Sequence, residues 1–218
     1  MPVLIVAMKN EADAVLGQSE LLEESTLFGR RVFHARAFGT EFSLVLSGIG
    51  KSNAAAAAML AVGGLHADRL VNFGLAGGVS EKADIASVLR VTRAAQYDFD
   101  LSEVNGTPKG TLDEYASPYI PLADGKSAFI KATLATGDKL TGSLADIPLL
   151  RALGADVRDM EGGAIAHVAY SAGVPLYSYK AVSNKIGEKS VSEYKQFTEK
   201  ALEALRGSME KIFAEACK

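Results

Sequence analysis

The chain has 218 residues, 48% of them apolar and 22% charged, with a formal net charge of -3, the composition of one globular domain with a sizeable core. The slightly acidic balance, with no block of like charge, gives no basic footprint for nucleic acid. The single cysteine, Cys217, excludes an intramolecular disulfide and suits a reducing compartment.

In chain order, "VLIVAM" (3–8) is a continuous apolar run, the pattern of a strand buried on both faces. It is short and has no basic flank, so it reads as a strand and not as a signal peptide. "KNEADAVLG" follows as a short helix with Asn10 and Glu11 near its start. "RRVFHARAFG" and "EFSLVLSGIG" are β-rich runs joined at Gly39-Thr40, a hairpin. From Ser52 to Leu65 an alanine run predicts a helix packed close to a sheet, too short and glycine-punctuated to span a bilayer. A cytoplasmic protein without a membrane segment is the expectation.

"RLVNFGLAGGV" (69–79) is a strand ending in a glycine-rich turn, and "DIASVLRVTRAAQYD" is again strand-like. A long loop, "FDLSEVNGTPKGTLDEYASPYIP", comes next; loops of this length in compact domains are functional or lie at interfaces. "FIKATLATGD" predicts a strand ending at Gly137-Asp138, and "SLADIPLLRALG" a helix closed by Gly154. Residues 155–184 read strand, helix, strand. The last helix runs from about Ser192 to Ala216, with Phe197, Ala201, Leu205, Met209, Ile212 and Phe213 at helical spacing.

This alternation predicts one domain over 1–218, of the doubly wound α/β class with a mixed sheet. Ligands in such folds sit at the carboxyl ends of strands. The informative segments are therefore Met8 to Glu11, Ser47 to Lys51, Gly74 to Gly78, Thr136 to Asp138, Met160-Glu161 and Ser183-Asn184. They bring Glu11, Glu161 and Asp138 to one rim, beside glycine turns that admit a close ligand. "GIGKS" is not a P-loop, and "GLAGG" lacks the full dinucleotide spacing. A glutamate in the first turn of a helix also serves simply as a dipole partner. His34, His66 and His167 have no partner pattern, His167 reading as a packing or interface residue. No spacing suggests a metal, and no cofactor is expected.

"AMKNEAD", "SGIGKSNAAAA", "NFGLAGGV", "TGD", "DMEGGAIAHVA" and "KAVSN" occur in order over nearly the whole chain. Together they resemble the nucleoside phosphorylase and nucleosidase superfamily, and most of all the 5'-methylthioadenosine/S-adenosylhomocysteine nucleosidases. The resemblance implies a three-layer αβα sandwich around a mixed sheet and a homodimer in which the loop carrying Asp98 and Asp100 shapes the interface. It implies that Glu11 holds the attacking water and that Glu161 binds the ribose 2'- and 3'-hydroxyls, which a carboxylate can accept together. Met160 would pack under the ribose, with Met8 and Ile49 beside the sugar and its 5' substituent. Gly77 and Ser183 join the substrate-binding set. Lys180 falls where the family has an arginine near the water, an exchange that is not neutral at a bidentate site. Asp138 lies near the base-binding loop or ties down its turn.

Phosphorolytic relatives hold phosphate with arginines after the first strand and before the glycine turn. Here those places carry Glu11 and Asn72, and Leu75 replaces a serine. A glutamate repels phosphate and suits a water, so hydrolysis is expected, with Lys9 and Lys51 kept as residual phosphate candidates. Asn184 falls at the family's aspartate position, where the acid gives a proton to adenine N7. An amide has no such proton, but its NH2 can bond N7 and a 6-oxo group. Asn184 therefore points to a 6-oxopurine, and "AVSNKIGEK" resembles the signature of futalosine hydrolases, although "YDFDLSEVNGTPKG" resembles the methylthioadenosine branch. Leu140 stands where an aromatic ring often stacks on the base, keeping only the apolar contact. A phosphate-dependent phosphorylase and a non-catalytic nucleoside-binding protein are the rival readings.

Overall fold

The computed structural model describes residues 1–113, 115–140 and 144–217. Its strands are β1 (Pro2–Val6), β2 (Glu20–Leu27), β3 (Arg30–Ala37), β4 (Thr40–Leu46), β5 (Arg69–Gly78), β6 (Val88–Gln96), β7 (Ile120–Pro121), β8 (Ile130–Thr136), β9 (Val157–Asp159) and β10 (Leu176–Lys185). The helices are α1 (Lys9–Leu16), α2 (Lys51–Met59), α3 (Ser102–Asn105), α4 (Ile147–Ala152), α5 (Gly162–Ser171) and α6 (Ser190–Ala216).

Strand β1 is buried throughout, and its side chains alternate between two cores. Val3 and Ile5 face the core shared with α2 and α5, whereas Leu4 and Val6 face the one shared with α1 and α6. That is the period-2 geometry of a strand covered on both faces. The alanines of α2 are small enough to lie against the sheet, with Ala54, Ala57 and Ala58 fully buried. On the opposite face α6 contributes Ala201, Leu205, Met209, Ile212 and Phe213, five of the six residues expected there; Phe197 is half-buried. The three-layer αβα arrangement with a mixed sheet is thus present.

The sheet is not the open, doubly wound one that alternation alone predicts. It runs β10-β6-β8-β9-β5-β1-β4-β3-β2, and β10 also pairs with β5, so β5, β9, β8, β6 and β10 close into a ring. Strand β5 makes this possible. Along one edge it pairs with β10 from Leu70 to Gly78. Along the other it pairs with β1 over Arg69–Asn72 and with β9 only at Gly77–Gly78. Between Asn72 and Gly77 that edge has no ladder partner, and the sheet forks.

Several boundaries differ from those read in the sequence. β1 stops at Val6 because the Ala7 and Met8 N–H groups donate to the Glu11 carboxylate at 3.2 and 3.0 Å and not to a neighbouring strand. The β3–β4 turn is Phe38-Gly39, with φ of 50° and 76°, and Thr40 already belongs to β4. Phe38 tolerates its left-handed backbone while packing on Phe213, ring centroids 5.2 Å apart. Strand β2 was not expected. The alanine helix widens at its end, where Leu65 N–H donates to Leu60 O at 3.0 Å, an i→i+5 turn. The long loop contains α3 and β7. Helix α4 is shorter than expected; Ser143, its expected first residue, lies outside the described residues. No described helix is long and apolar enough to cross a membrane.

Candidate active site

The fork in the sheet is where the chemistry-bearing side chains gather. Because α1 starts directly after β1, Glu11 in its first turn reaches back into the unpaired edge of β5. Its Oε1 accepts the Leu75 N–H at 2.8 Å, and its Oε2 accepts from Met8 and Ala7. Gly74 is required here, since a Cβ at that position would lie 2.5 Å from Glu11 Oε1. Burial pushes the Glu11 carboxyl above its ordinary range, outweighing the three N–H donors and the nearby Lys180 ammonium.

Glu161 follows the short strand β9 and precedes α5. Its Oε1 accepts the Gly50 N–H at 2.9 Å and its Oε2 the Met160 N–H at 3.3 Å. Burial first, and then repulsion from Asp159, raise its pKa to about 7 against the opposing Lys180 and Gly50 interactions. Lys180 Nζ pairs with Asp159 Oδ2 at 2.8 Å, both side chains almost wholly buried. Burial alone would lower the Lys180 pKa, but Asp159, Glu161 and Glu11 together raise it. Asp159 is held further by Thr136 Oγ1 at 2.6 Å and Gly162 N–H at 2.8 Å.

At the other end of the site β10 bulges at Ser183. Asn184 Oδ1 accepts from Ser183 Oγ at 3.0 Å, and its Nδ2 donates to Ser190 Oγ at 2.8 Å and Lys185 O at 3.2 Å. Both amide hydrogens are thereby committed within the protein. Gly77 lies beside Asn184; a Cβ on it would sit 3.2 Å from Nδ2.

These groups line a cavity of about 150 Å³. Of the residues expected at the site, the structure brings Met8, Glu11, Ile49, Gly77, Leu140, Met160, Glu161, Ser183 and Asn184 to its wall. Lys180 is the exception and a correction. Its ammonium does not line the cavity but pairs with Asp159, which does, so it acts on the cavity only through its charge. Asp138 is not on the wall either; it accepts the Lys51 N–H at 2.8 Å and ties α2 to the end of β8. Asp98 pairs with Lys51, and Asp100 caps Ser102 and pairs with Lys109, roles that shape the loop. His34 bonds Ser43 and His167 bonds Tyr115, away from the cavity. Among the described residues no cluster of three or more His, Cys, Asp or Glu could hold a metal.

The sequence reading missed Arg158, Asp159, Lys139 and Tyr194 on the wall. Arg158 and Asp159 adjoin Met160-Glu161 in "VRDMEGG", and two opposite charges inside an otherwise apolar strand were the available signal. Tyr194 comes from α6 and reaches Met8 Sδ at 4.0 Å.

Comparison with known proteins gives the same lineage. The 5'-methylthioadenosine/S-adenosylhomocysteine nucleosidase of Marinomonas sp. (strain MWYL1) is 26% identical over 213 residues, covering 92% of each chain. The futalosine hydrolase of Helicobacter pylori strain 26695 superposes with a TM-score of 0.88 at 21% identity, over 98% of this chain and 97% of that one. An aspartate-to-asparagine mutant of the Helicobacter pylori nucleosidase, with 5'-methylthioadenosine in its active site, superposes at 0.90 with 23% identity over 98% of both. The sequence profile of the phosphorylase superfamily matches residues 3–214, and the chain belongs to that superfamily.

Proposed function

We propose that the protein hydrolyses the N-ribosidic bond of a purine nucleoside, and that Asn184 favours a 6-oxopurine substrate such as futalosine. The observation that carries this reading is Glu11, a buried carboxylate held by three backbone N–H groups on the wall of the cavity that Glu161 also lines. A carboxylate so fixed, with its pKa raised by burial, orients a water and is basic enough to take its proton. Glu161 accepts from the ribose hydroxyls, and its charge favours the positive sugar that forms as C1' separates from the purine. Lys180 keeps this carboxylate cluster from excessive repulsion while leaving the wall itself anionic. On binding, the Asn184 amino group exchanges its longer bond, to Lys185 O, for the purine N7 and 6-oxo group.

Phosphorolysis fits this wall poorly. The two lysines that could serve phosphate are engaged elsewhere, Lys9 with Asp13 at 2.8 Å and Lys51 with Asp98 at 2.6 Å. Asn72 instead links Ile5 O to Ser178 within the sheet. The deciding experiment is purine release from futalosine, inosine, methylthioadenosine and adenosylhomocysteine, with and without phosphate. Phosphate-independent hypoxanthine release is expected. A phosphate requirement would replace the reading by phosphorolysis, and no release from any substrate would favour a nucleoside-binding protein. Asn184→Asp shifts preference toward adenine nucleosides; an unchanged ratio of inosine to methylthioadenosine turnover would remove the amide from the specificity argument.

A further inference from the structure

Register places Arg158, Gly77 and Asn184 in one row across three adjacent strands, since Gly77 of β5 pairs with Arg158 of β9 and with Asn184 of β10. All three line the cavity, and Gly77 interposes no side chain between the guanidinium and the amide. Arg158 is only 4% exposed. Its Nε donates to Tyr97 Oη at 3.2 Å, its Nη1 to Leu140 O at 3.3 Å and its Nη2 to Lys139 O, all neutral acceptors. Among the described residues no carboxylate pairs with it: the neighbouring Asp159 is taken by Lys180 at 2.8 Å. Lys139, the other cation on the wall, already faces Asp146 at 3.6 Å.

A buried guanidinium without a counter-ion is costly unless something supplies the charge. It has five N–H donors, and three are committed. Meanwhile the Asn184 amino group keeps Ser190 and can free only its Lys185 bond for the base, and an amide carries no charge to set against an anion. Cleavage of a ribosidic bond to a 6-oxopurine, with no acid to protonate the base, creates an anion at this end of the cavity.

Resting on the nucleosidase reading above, we propose that Arg158 is a catalytic residue that touches the purine and balances the negative charge it acquires on departure. The C1'–N9 electron pair leaves with the purine as the water oxygen bonds to C1' and Glu11 takes the water proton. The purine, held as an anion against Arg158, regains a proton through solvent on release. Arg158 thus takes over by charge what a proton donor would do by transfer, and the site prefers bases that are stable as anions.

The test compares inosine, whose base must leave as an anion, with 7-methylinosine, whose base leaves neutral. For R158Q, kcat/KM on inosine falls about 100-fold, the loss typical of one preorganised donor, and on 7-methylinosine less than about threefold. R158K, which keeps the charge and loses the fork, falls between. Equal losses on both substrates would mean that Arg158 only braces the Lys139–Leu140 segment, and would overturn the proposal while leaving the nucleosidase reading intact. A second arm needs no turnover: calorimetric binding of hypoxanthine to the wild type tightens as the pH rises through the ionisation of the base, and R158Q loses that dependence. Wild-type binding that weakens over the same range overturns the proposal whatever the variants do. A wild type that binds the anion through Arg158 but hydrolyses nothing leaves Arg158 an anion contact only and defeats its catalytic role together with the nucleosidase reading; one that does neither leaves Arg158 no role at the base.

Discussion

The two ends of the cavity are wired in opposite senses. At one end, Glu11 and Glu161 accept from the backbone N–H groups of Leu75, Met8, Ala7 and Gly50. At the other, Arg158 and Asn184 donate to the backbone carbonyls of Leu140, Lys139 and Lys185. The first end is a set of fixed acceptors and the second a set of fixed donors, which suits a bond whose sugar half turns positive and whose base half turns negative. At their polar groups the two ends are equally buried: Glu11 is 3% exposed, Arg158 4% and Asn184 7%. What differs is the loop beside the donor end, where Leu140 is 61% exposed. The polar groups of both ends are thus anchored to the sheet, and only the apolar contact at Leu140 is left to a segment that can change without unfolding it.

The largest effect that could break this contrast is at Glu11. Glu11→Gln keeps the shape and removes the base, so kcat falls about a thousandfold, within the range for a lost general base. A cooperative thermal melt checks that the variant folds, since the Gln amino group puts a donor in place of one of two oxygens that both accept backbone N–H groups. Retained turnover would sink the assignment of the acceptor end. Next comes Lys180→Met, which strips the counter-charge from buried Asp159 and costs about 3 kcal/mol in urea unfolding. Leu140→Ala on the exposed loop should cost less than about 0.5 kcal/mol in the same assay; equal costs would erase the difference between the sheet and the loop.

A pH experiment sharpens the contrast further. Glu161 titrates near 7 in the folded chain against an ordinary 4.5, raised by burial and then by Asp159. Between those values the unfolded chain releases its proton while the folded chain keeps it. The stabilising contribution is therefore full below about pH 4.5 and lost as pH rises through about 7. The melting difference between Glu161→Gln and wild type should move in the variant's favour as pH rises from 4.5 to about 8; a pH-independent difference would show that the carboxylate charge is not its cause. The last test is Leu140→Phe. A ring over the base adds roughly 0.5–1.5 kcal/mol, lowering KM about two- to tenfold with kcat unchanged.

Much of the acceptor end was legible in the sequence because its residues close strands that are continuous apolar runs, and ligands in α/β folds sit at those ends. Glu11 and Glu161 needed only that rule and the family resemblance. The donor end was harder. Strand β9 has three residues, too few for alternation to say which side chain faces the cavity, and its pairing with Gly77–Gly78 is non-local. That pairing is what turns Arg158 toward Asn184. Lys180 was carried to the wall by resemblance, but the positions of charges around a buried ammonium decide where it points, and Asp159 wins. Strand β2 was missed for another reason: "ELLEESTL" is largely exposed and shows no alternating face.

The unpaired stretch of β5 has one more consequence. Leu75 N–H is the amide of a central strand, yet its hydrogen bond ends on a titrating carboxylate and not on a neighbouring carbonyl. Its proton resonance should therefore move with the charge of Glu11 alone, downfield when the carboxylate is ionised and upfield when it is not. With the cavity empty, this one backbone amide in the sheet becomes a spectroscopic gauge of the Glu11 charge.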